Sequence, residues 1–590
     1  WDFDFSDMSL VPMRRWLQAQ YGSLGALNSE WGTKFTDWDL VMPLTTDQAM
    51  KQQGDNFADW ADFKTWMDIS YADALKMGMD DIQEADPQAY VGIGGSQMPG
   101  WGGYDYSRIA KSLNAIEPYD IGRSVDIVHS LNPEMVVMST GFAAGPWEKH
   151  RVWYELIHGE RGLIIWSEKH NYMQDNGEPT AIGKGAGEYY NEIRNGAGAL
   201  IINSQVVNNR IAIHYSQPSL RTQWMLERRP DGTAWATRSP EYERSHNTFM
   251  RVRESWCNLI QDEGLQFNFV SYDQIPEGEL LKKGYHVLIL PESSSLSPAE
   301  ASEIRAFVVA GGVAIADGVP GTYDEHSRKL PKSSLDDLFG EPATQQVNVR
   351  SIGAGKAILI KADIAGYLQN RLAGKEGPLH TMIGQLLRTN GVRPPFSVED
   401  ASGHSVVGID THVFANGGVR IVTLQSNPQQ RVNELGPPDF RSNKRFEKPV
   451  TVHLHLPSMK YVYDTRARKS LGQQRELTLT VDPYDPTILA TSDTALPEMQ
   501  VSVPDHARRG AVIAVAVHAA NTPAAVSVFH VDVRDPKGNR VLYYSGNVIA
   551  RNGSGIRSIP LASNDVVGTW TVSVQDMLSG QTITRKLDIE

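Results

Sequence analysis

The sequence predicts a multi-domain chain, α/β over its first two-thirds and all-β thereafter. Three observations carry this. Short apolar runs alternate with helix-periodic stretches up to about residue 395, the pattern of parallel strands with crossover helices. From about residue 396 the period becomes two, as in VRIVTLQSN, VTVHLHL and LTLTVDP, the pattern of half-buried strands. The chain has 590 residues, too many for one core.

In order along the chain, the first 200 residues contain the runs YVGIG (90–94), a weaker IEPYDI (116–121), MVVM (135–138) and LIIW (163–166). Helical patterns at Phe57–Met77, Tyr106–Ala115, Val125–Leu131 and Trp147–His158 lie around and between them. Four such strand–helix units amount to about half of an eight-fold (β/α) barrel. A half barrel has two open edges, so the expectation is that four further units precede residue 1.

Residues 201–395 repeat the alternation: RIAIHYS, a helix near His246–Gly264, FNFVSYDQI, YHVLILPE, a helix at Pro298–Ala310, and GGVAIADG. Strands of four to six apolar residues, each followed by a helix, predict a doubly wound sheet. Residues 396–494 predict a small β domain. After a Pro-containing junction, 495–590 predict an Ig-like β-sandwich with strands MQVSV, AVIAVAVHA, AAVSVFHVDV, RVLYYS and TWTVSVQD and turns at DPKGN and RNGSG.

The bulk numbers exclude some classes. Net charge is −13, and nucleic-acid binding needs a basic face. No apolar run reaches the length of a membrane helix. The single cysteine, Cys257, excludes an internal disulfide and any Cys-based metal site; its helical context predicts a buried, inert thiol. No H-x-x-x-H or carboxylate spacing indicates a metal, and no cofactor motif is present. The chain lacks a signal peptide and does not start with Met, which leaves its compartment open.

The most informative segment is Arg15–Phe35, RWLQAQYGSLGALNSEWGTKF. With its "WL…Y…L..LN..WGT.F" run it resembles the family 42 glycoside hydrolases, the β-galactosidase group. The stretch GYHVLILPESSSLSPAEASEIRAFVVAGGVAI is similar to the trimerisation domain of that family. The resemblance implies a carbohydrate substrate, a β-galactoside or related glycan, and a homotrimer. That domain is related in fold to glutamine amidotransferases, but no cysteine follows a strand here, so an amidotransferase reading fails.

Glycosidases need two carboxylates beside the scissile bond, and barrels present them at strand ends. Glu168 follows LIIWS, and Asp120 ends IEPYDI; these are the candidate catalytic residues. Glu148 reads as a solvated first-turn helix residue. His150 and His158 read as packing or surface residues. Carried over by position, the resemblance makes Trp166, Glu168 and His170 the tryptophan and the Glu–His pair that hold the sugar, and Tyr119–Asp120 the aspartate after the sixth strand. The family nucleophile ends the seventh strand; here Ser139-Thr140-Gly141 follows the run. Candidate sugar-binding residues are Trp31, Trp38, Gln97, Trp101, Tyr119, Trp166 and His170. A catalytically degenerate barrel that binds carbohydrate or serves as a scaffold is the alternative. A binding module on the doubly wound domain is a third reading, with its ligand near residues 291–295.

Overall fold

The computed structural model describes residues 4–94, 104–118, 121–141, 144–166, 171–237, 247–340, 345–427, 431–432, 438–439 and 445–590. The chain is mixed α/β followed by several all-β sheets. Four short strands, Gly92–Ile93, Ala115–Ile116, Val136–Gly141 and Gly162–Ile165, pair side by side in chain order, all parallel. They fall on the apolar runs read from the sequence, except that the second stops at Ile116, well short of residue 121.

Before this sheet come four helices: Asp7–Tyr21, Leu24–Trp31, Thr46–Met50 and the long Ala58–Ala85. Gly22 and Gly32 end the first two in the left-handed conformation (φ 69° each), where glycine has no Cβ to clash. The N-terminal helices bury Leu10, Met13, Leu17, Leu27 and Trp31 against Phe63 and Met67 of the long helix.

The next unit is a six-stranded sheet. Ile211–Tyr215, Phe267–Ser271, Val287–Leu290, Val313–Ala316 and Gly355–Ile360 run parallel, and Val347–Ile352 lies antiparallel at one edge. The first strand of the unit lies inside the sheet: Phe267–Ser271 is on one side of it, Val287–Leu290 on the other. Strands buried on both faces read as continuous apolar runs, which is why VLIL and VAIA were legible. Helices Tyr106–Ser112 and Ser124–Leu131 share one core with both sheets, through Ile109, Val125, Ile127 and Val128 with Ile116, Val137, Ile213 and Phe269. Cys257 is buried in that core; burial pushes its thiol up to about 12, so it stays protonated and unreactive.

A seven-stranded sheet follows, built mainly from Ile409–Asn416, Val419–Ser426, Val450–Asp464, Lys469–Val481 and Thr487–Ser492. Gln205–Val206 from the junction adds an edge strand to it. The last unit packs a three-stranded against a five-stranded sheet around Phe529, Val531, Trp570 and Val572. Asn552 and Gly553, with φ 55° and 73°, make the tight turn by which the chain passes from Gly546–Arg551 in the five-stranded sheet to Ser554–Pro560 in the three-stranded one. RVLYYS is not a strand. Val541 and Tyr544 point into the core while Leu542 and Tyr543 are exposed, and Tyr544 and Ser545 donate back to the Val541 carbonyl. The segment is a turn whose inward spacing is three, not two. No helix of the described residues is long and apolar enough to cross a membrane.

Candidate active site

The four parallel strands all end at one edge of their sheet, and what they carry there defines the candidate site. Side chains alternate across a strand. On Val136–Gly141, Val137 and Ser139 face the helices: Val137 is in the core, and the Ser139 hydroxyl donates to Glu155 Oε2 at 2.7 Å. Thr140 therefore faces the other way, and its hydroxyl donates to Glu117. Glu117 directly follows the strand that ends at Ile116, whose side chain is in the core, so Glu117 shares the Thr140 face. Gly94 follows the first strand, and a Cβ there would come within 2.8 Å of Glu117 Oε2. Glycine at that position leaves room for this carboxylate to lie across it.

Thr140 is level with Ile164 on the neighbouring strand, and Trp166 lies two residues further on the same face. Its backbone N–H is held by the Gly141 carbonyl at 2.9 Å, and the residue is 50% exposed. The sheet end thus presents a buried carboxylate and an open indole on the side turned away from the helices.

Behind the strands is a second cluster. Arg151 reaches Glu148 (3.0 and 2.6 Å) and Glu155 (2.7 and 2.5 Å). All three are at most 4% exposed. Glu148 is thus not the solvated residue that the sequence suggested: it lies against Gly141, and the i,i+3 spacing to Arg151 supplies its counter-charge. Burial works against the Arg151 charge, but Glu155 and Glu148 hold its pKa well above the usual range. Burial raises the Glu155 carboxyl despite Arg151. Charge pairing of this depth is structural and fixes the helix Pro146–Ile157 behind the strand.

The sequence-predicted residues fall into three groups. Glu168, Asp120, Gln97, Trp101, Tyr119 and His170 lie outside the described residues. Trp166 is at the strand end, exposed. Trp31 and Trp38 belong to the separate N-terminal helical cluster. Trp31 is only 5% exposed, with its indole N–H on Asp62 Oδ2 at 2.7 Å; it anchors a helix end and offers no open face for a sugar ring. Tyr21 and His326 close on the same Asp62 at 2.5 and 2.6 Å. His150 and His158 are both buried. Sequence reading missed Glu117. The signal was its place directly after an apolar strand, obscured by the acidic Asp120 that ends the same run.

The chain is similar to known proteins in fold and, over part of its length, in sequence. Its fold matches a β-galactosidase from Bacillus circulans sp. alkalophilus at 14% identity and TM-score 0.60, over 83% of this chain and 78% of that one. It also matches an apo exo-carrageenase, GH42, from Bacteroides ovatus at 15% identity and TM-score 0.51, over 83% of this chain and 63% of that one. At such identities the likeness is one of fold. Sequence adds the particular: residues 2–126 match the family 42 glycoside hydrolase model, described as beta-galactosidase. Over that N-terminal stretch the chain is similar to the family 42 glycoside hydrolases.

Proposed function

We propose that the chain hydrolyses glycosidic bonds in a β-galactoside or a related glycan, using carboxylates gathered at the strand ends of the four-stranded sheet. The observation that carries this reading is the shared face of Glu117 and Trp166. In the sequence, Gln97, Trp101, Tyr119, Asp120, Glu168 and His170 follow the same strands.

In this reading Glu168 and Asp120 form the acting pair. A carboxyl close to an indole is partly desolvated, which raises its pKa towards acid/base duty; Glu168, two residues after Trp166, has that role. Asp120 serves as the ionised partner. Glu117, fixed by Thr140, accepts hydrogen bonds from sugar hydroxyls, and Trp166 stacks on the apolar face of the ring. The strand that carries the nucleophile in family 42 offers Ser139 and Thr140 here. Their hydroxyls serve as donors to Glu155 and Glu117, so the chemistry falls to the neighbouring strand ends.

The domain reading goes with the function. Residues 1–200 are half of an eight-fold barrel, 201–395 a doubly wound trimerisation-type domain, 396–494 a small β domain and 495–590 an Ig-like sandwich. The assembly is a homotrimer.

The test is a panel of aryl glycosides assayed with the parent protein, Glu168→Gln and Asp120→Asn. Each variant is expected to lose on the order of 10²–10⁴-fold in kcat, the size of a general acid–base contribution, with an unchanged melting temperature. If the parent cleaves nothing across the panel yet binds sugars, the barrel is a carbohydrate-binding one and the hydrolase reading is wrong.

A further inference from the structure

Away from the sheet end, the junction between the first α/β unit and the seven-stranded sheet holds a buried polar cluster that glycoside hydrolysis does not use. Asp410 and His412 are two residues apart on the strand Ile409–Asn416, so both project to the same side. His158 caps the C-terminal end of the helix Pro146–Ile157 and faces them from the other unit. One ligand atom from each of the three side chains lies within 4.8 Å of the others. His158 Nε2 is 2.8 Å from Asp410 Oδ2, and His412 Nδ1 is 3.3 Å from Asp410 Oδ1. The two imidazole rings lie 4.4 Å apart, tilted at 59°. All three residues are at most 6% exposed.

Two details distinguish this cluster from an ordinary buried ion pair. Asp410 Oδ1 is buried, and the 3.3 Å approach of His412 Nδ1 to it falls outside hydrogen-bond geometry, so this oxygen is under-satisfied. The other nitrogen of His158, Nδ1, meets Asp126 Oδ1 at 2.8 Å. A carboxylate on the far nitrogen is the arrangement found behind metal-bound histidines; here it turns Nε2 towards Asp410. Gln261 Nε2 donates to Asp410 Oδ2 at 3.3 Å and steadies that side chain.

We propose that His158, Asp410 and His412 bind one divalent transition-metal cation, zinc by the donor set, which ties the first α/β unit to the β sheet. Two imidazoles and one carboxylate are a borderline-soft set suited to zinc and poorly suited to magnesium or calcium, which take oxygen ligands. Three protein ligands leave one position of a tetrahedral ion for a further donor, and all three side chains are buried.

The experiment uses the full chain. Purified protein is stripped with a chelator, titrated with zinc chloride, and analysed by elemental mass spectrometry after gel filtration. Cobalt(II) is loaded in parallel and its visible absorption recorded. A single equivalent of zinc per chain is expected, with a melting temperature that rises until that equivalent is bound and a cobalt spectrum of low-coordinate, nitrogen-containing type. His412→Ala and Asp410→Asn are expected to lose the metal. The double variant His453→Ala/His455→Ala, on a part-exposed strand, is expected to keep it. Because Asp410→Asn perturbs a buried residue, the parent's own stoichiometry and cobalt spectrum decide if that variant does not fold. The proposal is overturned if the folded parent takes up neither ion, in which case a proton closes the network. It is equally overturned if uptake is unchanged in His412→Ala.

Discussion

Replacing Trp166 by alanine separates sugar recognition from folding. The indole is 50% exposed, and a tryptophan side chain offers up to about 250 Å². Roughly 125 Å² therefore remains for a ligand to cover, worth at most about 3 kcal/mol at ~25 cal/mol/Å². A pyranose ring covers part of that area and leaves its rim wet, so ~1–2 kcal/mol is expected, a loss of roughly 5- to 30-fold in affinity. Steady-state kinetics on a cleavable glycoside, with binding of the unreacted sugar measured by calorimetry, read this out. The loss should fall mainly on KM and on the binding constant. Trp166→Phe should recover most of it, because a smaller ring still stacks. Unchanged sugar affinity in a folded Trp166→Ala protein would refute the argument that this face receives the substrate.

Two further predictions concern stability. Burial, with Asp317 nearby, raises the Glu292 carboxyl from 4.5 to about 7. The folded state therefore holds that proton more tightly than the unfolded chain does. Its contribution is fully present below about pH 4.5 and is lost as pH rises through 7. Glu292→Gln should be more stable than the parent by ~2–3 kcal/mol at pH 8 and equal to it near pH 4; denaturant melts at the two pH values measure this, and equal stability at both would contradict it. Asp262 accepts from Arg371 (2.7 and 3.0 Å), from Tyr367 (2.7 Å) and from the Gly408 amide (2.8 Å), all out of water. Asp262→Ala leaves the guanidinium buried without a counter-charge and should cost ~3–5 kcal/mol; a urea midpoint within error of the parent's would refute that.

Legibility from sequence followed the range of the interactions. The parallel strands were readable because burial on both faces makes them continuously apolar, as in VLIL and VAIA. The turn at Asn552-Gly553 was readable because its backbone conformation, φ 55° and 73°, restricts the residues that can adopt it. RVLYYS misled because its β-branched and aromatic composition suits a strand, while which side chains are buried depends on the sheets around it. Glu148 was misjudged although Arg151 is only three residues away: spacing shows that a pair can form, and burial depends on what covers it. The cluster of His158 and Asp410 joins residues 252 apart in the chain, and only Asp410-Thr411-His412 hinted at it. At the sheet end, the position of Trp166 at the close of an apolar run was legible, and its exposure came from the structure. Glu117 was not, because only its strand partner Thr140 reveals which way it points.

The most direct test of the account is Glu117→Gln, measured as kcat/KM on the best aryl glycoside of the panel. The amide keeps the size of the side chain and can still accept from Thr140, so folding should be preserved. Only the charge offered to the substrate is lost. Charge-assisted hydrogen bonds that strengthen as the sugar becomes cationic carry this account, and losing one should lower kcat/KM by roughly 10²-fold or more. A folded Glu117→Gln protein with the parent's kcat/KM would contradict the claim that the strand ends of the four-stranded sheet form the active site.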